Sequence, residues 1–510
     1  MTTLSSARSQ RVLPFVLLAA AEVLVVFRNA GHFFTGDSLF WMWNRYSSVM
    51  EGVRGFFDLD PALWYRPLSQ RTLESILYPL AGLNPTPYRI AGFMLFFACT
   101  LAVFLFALRV TQHRLAAWAA VLIFTPHVVS KFVAYDVAFT PELLLLLFSL
   151  GSAACYVAYL RQPNRSMWIM SAAFLAGALL SKETAAGLPF ALMGLWFLLG
   201  DRRVSFKSLV PHFAMLAIYL VFAFAFLHVR NLQVGQVLGW LPQDPVSEYQ
   251  FEAGNNIRHN LRDAFAWTFG IPAGVHGQWI FSAEWILPVL SGLRVLACIG
   301  AFALLFTARR RLVLAGICWF ITMLGPALLL KTHFLPYYLF VPLAGIAVAG
   351  GTLLDWIYEQ CKPLSPRVAG AIVGIILAAW TKGQVHAANR VALTHPLLGA
   401  AAIRSGIAWE DVHRSYPTFP SRKHLVFLNE GLPSAPADQG FGLLFKLGYG
   451  DPSLVIHYST IDLPKDLDVA NAVVFQWAHG RFLDVTSDVR QNPKLLWRSS
   501  SIAAHGAPSD

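Results

Sequence analysis

The sequence predicts an all-α polytopic membrane protein, with about eleven transmembrane helices and a small extracytoplasmic α/β domain at its C-terminal end. Three observations predict it. Of 510 residues, 56% are hydrophobic and 13% charged, whereas a soluble domain carries about 25% charged residues. Apolar runs long enough to cross a bilayer, roughly 20 residues, recur near 12–28, 89–109, 115–130, 137–160, 167–181, 184–200, 211–229, 284–307, 312–331, 336–356 and 367–382. Basic residues fall in every second connection: Arg8 and Arg11, Arg109 and Arg114, Arg161 and Arg165, Arg202, Arg203 and Lys207, Arg309 to Arg311, and Lys362 with Arg367.

That alternation is the positive-inside pattern. It places the N-terminus in the cytoplasm of a bacterial-type inner membrane and the C-terminal domain outside. The net charge of +11 is then a topology signal, with anionic-lipid contact secondary and no nucleic-acid partner. The same rule divides 167–200 into two short spans meeting at Ser181-Lys182-Glu183, since one helix would put Arg165 and Arg202 on opposite sides. The first apolar run follows two arginines without a small-x-small cleavage site before Asp37, so it reads as a retained anchor.

Two outer loops are long, 29–88 and 230–283. In the first, Leu39, Trp43, Tyr46, Met50 and Val53 recur at helical spacing, as do Leu73, Ile76, Leu77 and Leu80. Both sets read as amphipathic helices on the membrane surface, the second ended by Asn84-Pro85-Thr86-Pro87. A loop with its own helices is more often functional than passive. In the second, Ile257, Leu261 and Phe265 suggest one amphipathic helix, with Arg258, His259, Arg262 and Asp263 on its polar face and Trp267 at the membrane interface. The membrane module thus covers 1–382. Residues 383–510 form a soluble domain with strands at 424–428, 454–458 and 472–477 and a disordered last dozen or so residues. The five cysteines lie in spans or at the cytoplasmic edge, which argues against disulfides.

Ionisable groups at membrane depth are expensive and tend to mark function. Asp37 follows the first span, and Asp136 stands in the short outer loop His127–Glu142. The other short outer loops carry Lys182-Glu183 and Lys331-Thr332-His333. A carboxylate at the outer rim, facing basic groups and walled by apolar helices, suits sugar transfer from a polyprenyl phosphate. The tail needs a groove, the phosphate needs positive charge, and the acceptor hydroxyl needs a base. Each residue also has a plainer reading. Asp37 suits the N-cap of a helix over 38–53. Arg66 suits a headgroup anchor, Asp136 a surface pair with Lys131, and Lys182 a snorkelling lysine neutralised by Glu183. His333 with Lys331 suits a span end, and Arg258 with Arg262 a solvated helix face. The lone His127 and His276 lack ligand spacing.

Asp37, Tyr65-Arg66-Pro67-Leu68, Gly82-Leu83-Asn84-Pro85 with Tyr88, Asp136, Ser181-Lys182-Glu183 with Pro189, and His333 through Pro342 occur in an order that resembles the GT-C glycosyltransferases. The branch is that of protein O-mannosyltransferases, eukaryotic membrane mannosyltransferases with tetratricopeptide tails, and bacterial lipid A aminoarabinose transferases. The resemblance covers roughly 12–200 and part of 311–350. It implies that Asp37 is the catalytic base, that Asp136 fills a second acidic position, read as a catalytic residue that orients the acceptor or acts with an ion, and that Lys182 meets the lipid phosphate. His333 falls where relatives often have Arg or His, and Arg66 joins the phosphate group. Ser38 follows Asp37 where several members have a second acid, so a paired carboxylate for metal is missing there. The tail has no tetratricopeptide repeats.

The expected partners are a polyprenyl-phosphate-sugar lipid and an extracytoplasmic protein or glycan acceptor, with Arg258 and Arg262 as acceptor or headgroup contacts. No cofactor is certain. Two separated carboxylates are weak evidence for a divalent metal, which stays open. Two competing readings remain: a lipid-linked glycan ligase or polymerase leaning on outer-loop arginines, and a lipid or solute transporter, which would show internal repeats and midplane charges.

Overall fold

The computed structural model describes residues 15, 16, 18–20, 22, 32–57, 65–200, 204–229, 250, 252–274, 287–394, 399–420, 424–428, 435–459, 461 and 463–496. Most of the first predicted span (12–28), the stretches 230–249 and 275–286 with His276, and the C-terminal 497–510 lie outside the described residues.

Among the described residues, six helices are long and apolar enough to cross a membrane, or seven if one bent pair counts as a span. The chain is a multi-pass membrane protein, although the count of eleven is not reached by helices of full length. The six are Pro85–Thr111, Val137–Arg161, Leu287–Leu304, Arg310–Leu328, Pro336–Cys361 and Pro366–Asn389; Arg165–Ser181, Glu183–Leu199 and Phe206–Phe222 are shorter apolar helices.

Before them come α1 (Gly36–Trp43), α2 (Val49–Arg54) and α3 (Thr72–Ala81). The helix expected over 38–53 is thus two, broken around Asn44 to Ser48, where the Ser48 hydroxyl accepts from the Glu51 N–H and starts α2. α3 ends at Gly82, whose positive φ of 52° a Cβ would disfavour. Asn84 does not end α3; its side chain caps α4 (Pro85–Thr111), with Pro85 in the first turn. Exposed Ile76 (59%) and Leu80 (81%) fit a helix that rests an apolar face on lipid.

The stretch expected as a short outer loop, His127–Glu142, is folded and buried. α5 (Arg114–Phe124) breaks at Thr125-Pro126 and turns 63° into α6 (Val128–Tyr135), all eight residues of which are buried. Proline removes a ladder donor and clashes with the preceding turn, so the break belongs there. Asp136 then caps a short 3-10 turn that leads into α7 (Thr140–Arg161). α8 (Arg165–Ser181) stops at Lys182, and a 3-10 turn carries the chain into α9 (Leu188–Leu199). α10 is Val210–Val229 and α11 Asn255–Trp267; α12 to α15 are Leu287–Leu304, Arg310–Leu328, Phe340–Cys361 and Pro366–Thr394.

In α11 the burial differs from expectation. Leu261 and Phe265 are exposed, whereas Asn260, Asp263 and Trp267 are buried. Trp267 is not an interface anchor: it stacks on Phe334 at 5.2 Å, and its indole N–H donates to the Ala273 carbonyl. The exposed side carries the leucine and phenylalanine, and the side against the protein takes groups with hydrogen-bond partners, so no buried polar group there is left unmet.

After α15 and α16 (Gly399–Ser415), the C-terminal part forms a four-stranded sheet in the order β2-β1-β3-β4. β1 (His424–Leu428) runs parallel to β2 (Val455–Tyr458) and β3 (Ala472–Ala478); β4 (Arg481–Asp484) is antiparallel to β3. β4 follows a two-residue turn, His479-Gly480, with φ of 51° and 78°, the positive pair a tight hairpin requires. One sheet face, with Leu425, Phe427, Val473 and Phe475, shares a core with Phe34, Leu39, Met42 and Tyr88. The other carries Val426, Leu428 and Val474 against Val489 and Leu496. Each fully buried Phe is worth about 1.5–3 kcal/mol, so this shared core fastens α1 to the sheet. The seam is tight: a Cβ on Gly36 would lie 2.0 Å from the Ala437 carbonyl oxygen.

We expect Gly36→Ala to lever α1 off the C-terminal part, at a cost of about 1–3 kcal/mol. Thermal unfolding and limited proteolysis check this: the variant should unfold earlier and release a C-terminal fragment faster than the wild type.

Candidate active site

The segment His32–Ser38 lies over the end of α6, and one buried carboxylate organises it. Asp136 is 2% exposed. It accepts from the Thr35 hydroxyl at 2.7 Å, from the Ser38 hydroxyl, and from the Ala138 backbone N–H at 3.0 Å. Asp136 thus does not form the surface pair with Lys131, whose ammonium donates to Asn389 at 2.9 Å. Between the two anchored hydroxyls stands Asp37, in the first turn of α1 and exposed. The helix N-cap is Thr35, not Asp37. Asp37 therefore points away from the core on a turn that Asp136 grips from beneath.

A second acid lies under the same turn. Glu74 of α3 is 2% exposed, and its Oε2 is buried with no hydrogen-bond partner. Burial, assisted by the Asp136 charge, pushes its carboxyl up to about 8. No sequence pattern singled it out, because one Glu beside Leu73 and Leu77 reads as the polar edge of an amphipathic helix.

A separate group gathers around the 182–183 turn. The Ser69 hydroxyl donates to the Ser181 carbonyl at 2.6 Å and the Leu68 N–H to the Leu180 carbonyl, which brings Arg66 alongside. Arg66 makes a two-pronged pair with Glu183, Nε to Oε2 at 2.8 Å and Nη2 to Oε1 at 2.7 Å. Lys182 is 3% exposed, ion-paired with Glu142, and lies 5.0 and 4.9 Å from the ring centres of Tyr337 and Tyr338. Both cations expected at a phosphate thus already hold carboxylates; for the buried Lys182–Glu142 pair, losing one partner costs about 3–5 kcal/mol. His333 is half-buried, with Nε2 3.4 Å from the Tyr337 hydroxyl. Phe139, three residues beyond Asp136, packs on Tyr337 at 5.3 Å and links the two groups.

Arg258 and Arg262 are exposed on α11; Arg262 pairs with its neighbour Asp263 at 3.1 Å. Lys331 pairs with Glu252 at 3.1 Å. Among the described residues no group of three His, Cys, Asp or Glu side chains is placed to hold a metal ion. An apolar cleft of about 240 Å³ opens between α12, α13, α14 and α15, lined by Leu296, Ile317, Leu353 and Trp380 among others and by no charged side chain.

Residues 67–228 match the family described as dolichyl-phosphate-mannose-protein mannosyltransferase. The whole fold matches the apo crystal structure of ArnT from Cupriavidus metallidurans, with a TM-score of 0.51 at 12% identity, over 95% of this chain and 95% of that one. The chain shares the fold of that protein. Two more distant likenesses are ArnT from the same organism bound to undecaprenyl phosphate (TM-score 0.48, 13% identity, 92% of this chain and 93% of that one) and the Archaeoglobus fulgidus oligosaccharyltransferase tethered with an acceptor peptide (0.45, 11%, 88% and 64%). No curated protein matches in sequence. The segment matched in sequence holds Arg66's neighbour Pro67, Glu74, Asp136, Glu142 and Lys182, while Asp37 and His333 lie outside it.

The Glu74 proton gives a pH dependence with a definite sign. An unfolded Glu loses its proton near 4.5, whereas folded Glu74 keeps it to about 8. The folded state binds the extra proton between those values, so stability falls as pH rises through that window. We expect Glu74→Gln to flatten this fall, read as the difference in thermal midpoint between variant and wild type from pH 5 to 9. Parallel curves would contradict the assignment.

Proposed function

We propose that this chain is a membrane glycosyltransferase that moves a sugar from a polyprenyl-phosphate donor to the hydroxyl of an extracytoplasmic protein or glycan acceptor, with inversion. The observation that carries this reading is the exposed carboxylate of Asp37, set on a turn whose flanking residues Thr35 and Ser38 are both bonded to buried Asp136. A base must meet an acceptor arriving from solution and yet be held in register with the donor, and this arrangement provides both. Asp37 takes the hydroxyl proton as the oxygen attacks the anomeric carbon. The bond to the lipid phosphate breaks on the opposite face, which inverts the centre. Asp136 acts through Thr35 and Ser38 as a positioning residue.

The leaving phosphate falls to the Arg66, Lys182 and His333 side, where Glu183 and Glu142 fix the two cations in place before the donor arrives. Fixed charge aimed at a developing anion is worth more than mobile charge, because nothing reorganises during the reaction. The 240 Å³ cleft and the long apolar helices suit a lipid substrate. In this reading the N-terminus is cytoplasmic, and residues 383–510 lie outside an inner membrane, packed against the Asp37 turn. Arg258 and Arg262, exposed on α11, face acceptor or headgroups.

The test is Asp37→Asn in cells whose envelope glycans are profiled with and without the protein, backed by transfer from a polyprenyl-phosphate sugar in detergent. A lost general base lowers the rate by about 10²–10⁴-fold, and donor binding should survive. Full activity of Asp37→Asn, with loss instead in Arg258→Gln or Arg262→Gln, would hand the reaction to the ligase or polymerase reading.

A further inference from the structure

Arg89 stands in the second turn of α4 and is 9% exposed, and none of the roles above uses it. Its Nη2 donates to the carbonyls of Phe33 at 2.6 Å and His32 at 3.3 Å. The guanidinium lies 4.9 Å from the centre of the Tyr135 ring. Its Nε and Nη1 are buried and have no acceptor. Buried donors on a charged group are costly to leave unmet, and an orphan of this kind in a folded protein calls for an ion or ligand. The carboxylate beside Tyr135 does not meet the need, because Asp136 is engaged by Thr35, Ser38 and the Ala138 N–H.

Two other basic side chains share the place. Lys131 of α6 is 4% exposed. His32 is half-buried, and its Nδ1 contacts the Tyr135 hydroxyl. Lys131 lies one helical turn before Tyr135, on whose ring Arg89 rests, and burial, then Arg89, then Lys131 hold the His32 ring toward its neutral form. Three basic groups from three elements thus meet behind the turn that carries Asp37, and His32 is the partly open side. A neutral sugar hydroxyl gives no reason for such a field; an oxyanion does.

We propose that Arg89, with Lys131 and His32 beside it, forms an anion site that holds a phosphoryl group next to the Asp37 turn. The role of that group rests on the sugar-transfer reading: it belongs either to the donor lipid or to a phosphorylated acceptor. Arg89 supplies two N–H donors of permanent charge, Lys131 adds a point charge, and the Tyr135 ring keeps the guanidinium in its plane of approach.

Inorganic phosphate is the first probe, titrated into the full-length protein in detergent and followed by ³¹P line broadening. We expect saturable binding that Arg89→Gln weakens by about tenfold or more, as loss of charge-assisted hydrogen bonds implies, and that Arg89→Lys partly restores. Lys131→Met, which leaves the Arg89 staple to Phe33 intact, should weaken it several-fold, so the test survives if Arg89→Gln does not fold. Arg66→Gln should leave this Arg89-dependent step in place. Absence of binding to the wild type, or wild-type affinity in both Arg89→Gln and Lys131→Met, would overturn the site. A polyprenyl phosphate is the second probe. If its affinity falls with that of inorganic phosphate in Arg89→Gln, the group comes from the donor, and Arg89 rather than Arg66 and Lys182 alone meets the lipid phosphate; if it holds while phosphate binding falls, the group comes from the acceptor. Neither readout needs sugar transfer, so failure here and failure of the Asp37 reading are separate results.

Discussion

The grip of the Asp136 carboxylate on the Thr35 and Ser38 hydroxyls is the interaction on which the candidate site depends. Asp136 is placed by the helix break at Thr125-Pro126, the buried α6, and the 3-10 turn that it caps itself. Thr35 and Ser38 are placed by α1, which is wedged between that buried end and the C-terminal sheet through Phe34, Leu39 and Met42. Charge-assisted hydrogen bonds are about twice as strong as neutral ones, and here they join residues about 100 positions apart in the chain. The sheet therefore bears on the placing of this turn, since it closes the core beneath it.

Charge compensation divides the other ionisable groups into two kinds. Arg66 with Glu183, half-buried, and Lys182 with Glu142, buried, are neutral as pairs, so neither leaves an uncompensated charge. Glu74 stays compatible with burial by keeping its proton. Arg89 has neither remedy, because a guanidinium does not give up its proton at ordinary pH and no described carboxylate meets its Nε or Nη1. The same physics therefore explains two paired cations, one protonated acid and one cation that awaits an anion.

Much of the fold was legible in the sequence, for physical reasons. Apolar runs and alternating basic loops report the bilayer directly, and the strands at 424–428 and 472–478 announced themselves as short β-branched and aromatic runs that need burial on both faces. The break at Ser181-Lys182-Glu183 was legible because the placing of Arg165 and Arg202 argued against one long helix. β4 was not, since Arg481–Asp484 has two charged ends and joins the sheet through a His-Gly turn. The burial of His127–Glu142 was missed because its Lys, Asp and Glu look like a solvated loop until their partners from residues 35, 38, 182 and 389 are in place. Long-range pairing leaves no local pattern, and the same reason hid Glu74 and Arg89.

A double-mutant cycle on Ser38→Ala and Asp136→Asn measures the central interaction most directly, with sugar-transfer rate as the readout. If Asp136 acts by gripping the turn, the double variant should be scarcely slower than the worse single one, because the second change removes a bond already lost. Losses that simply multiply, leaving no coupling between the two sites, would contradict the account.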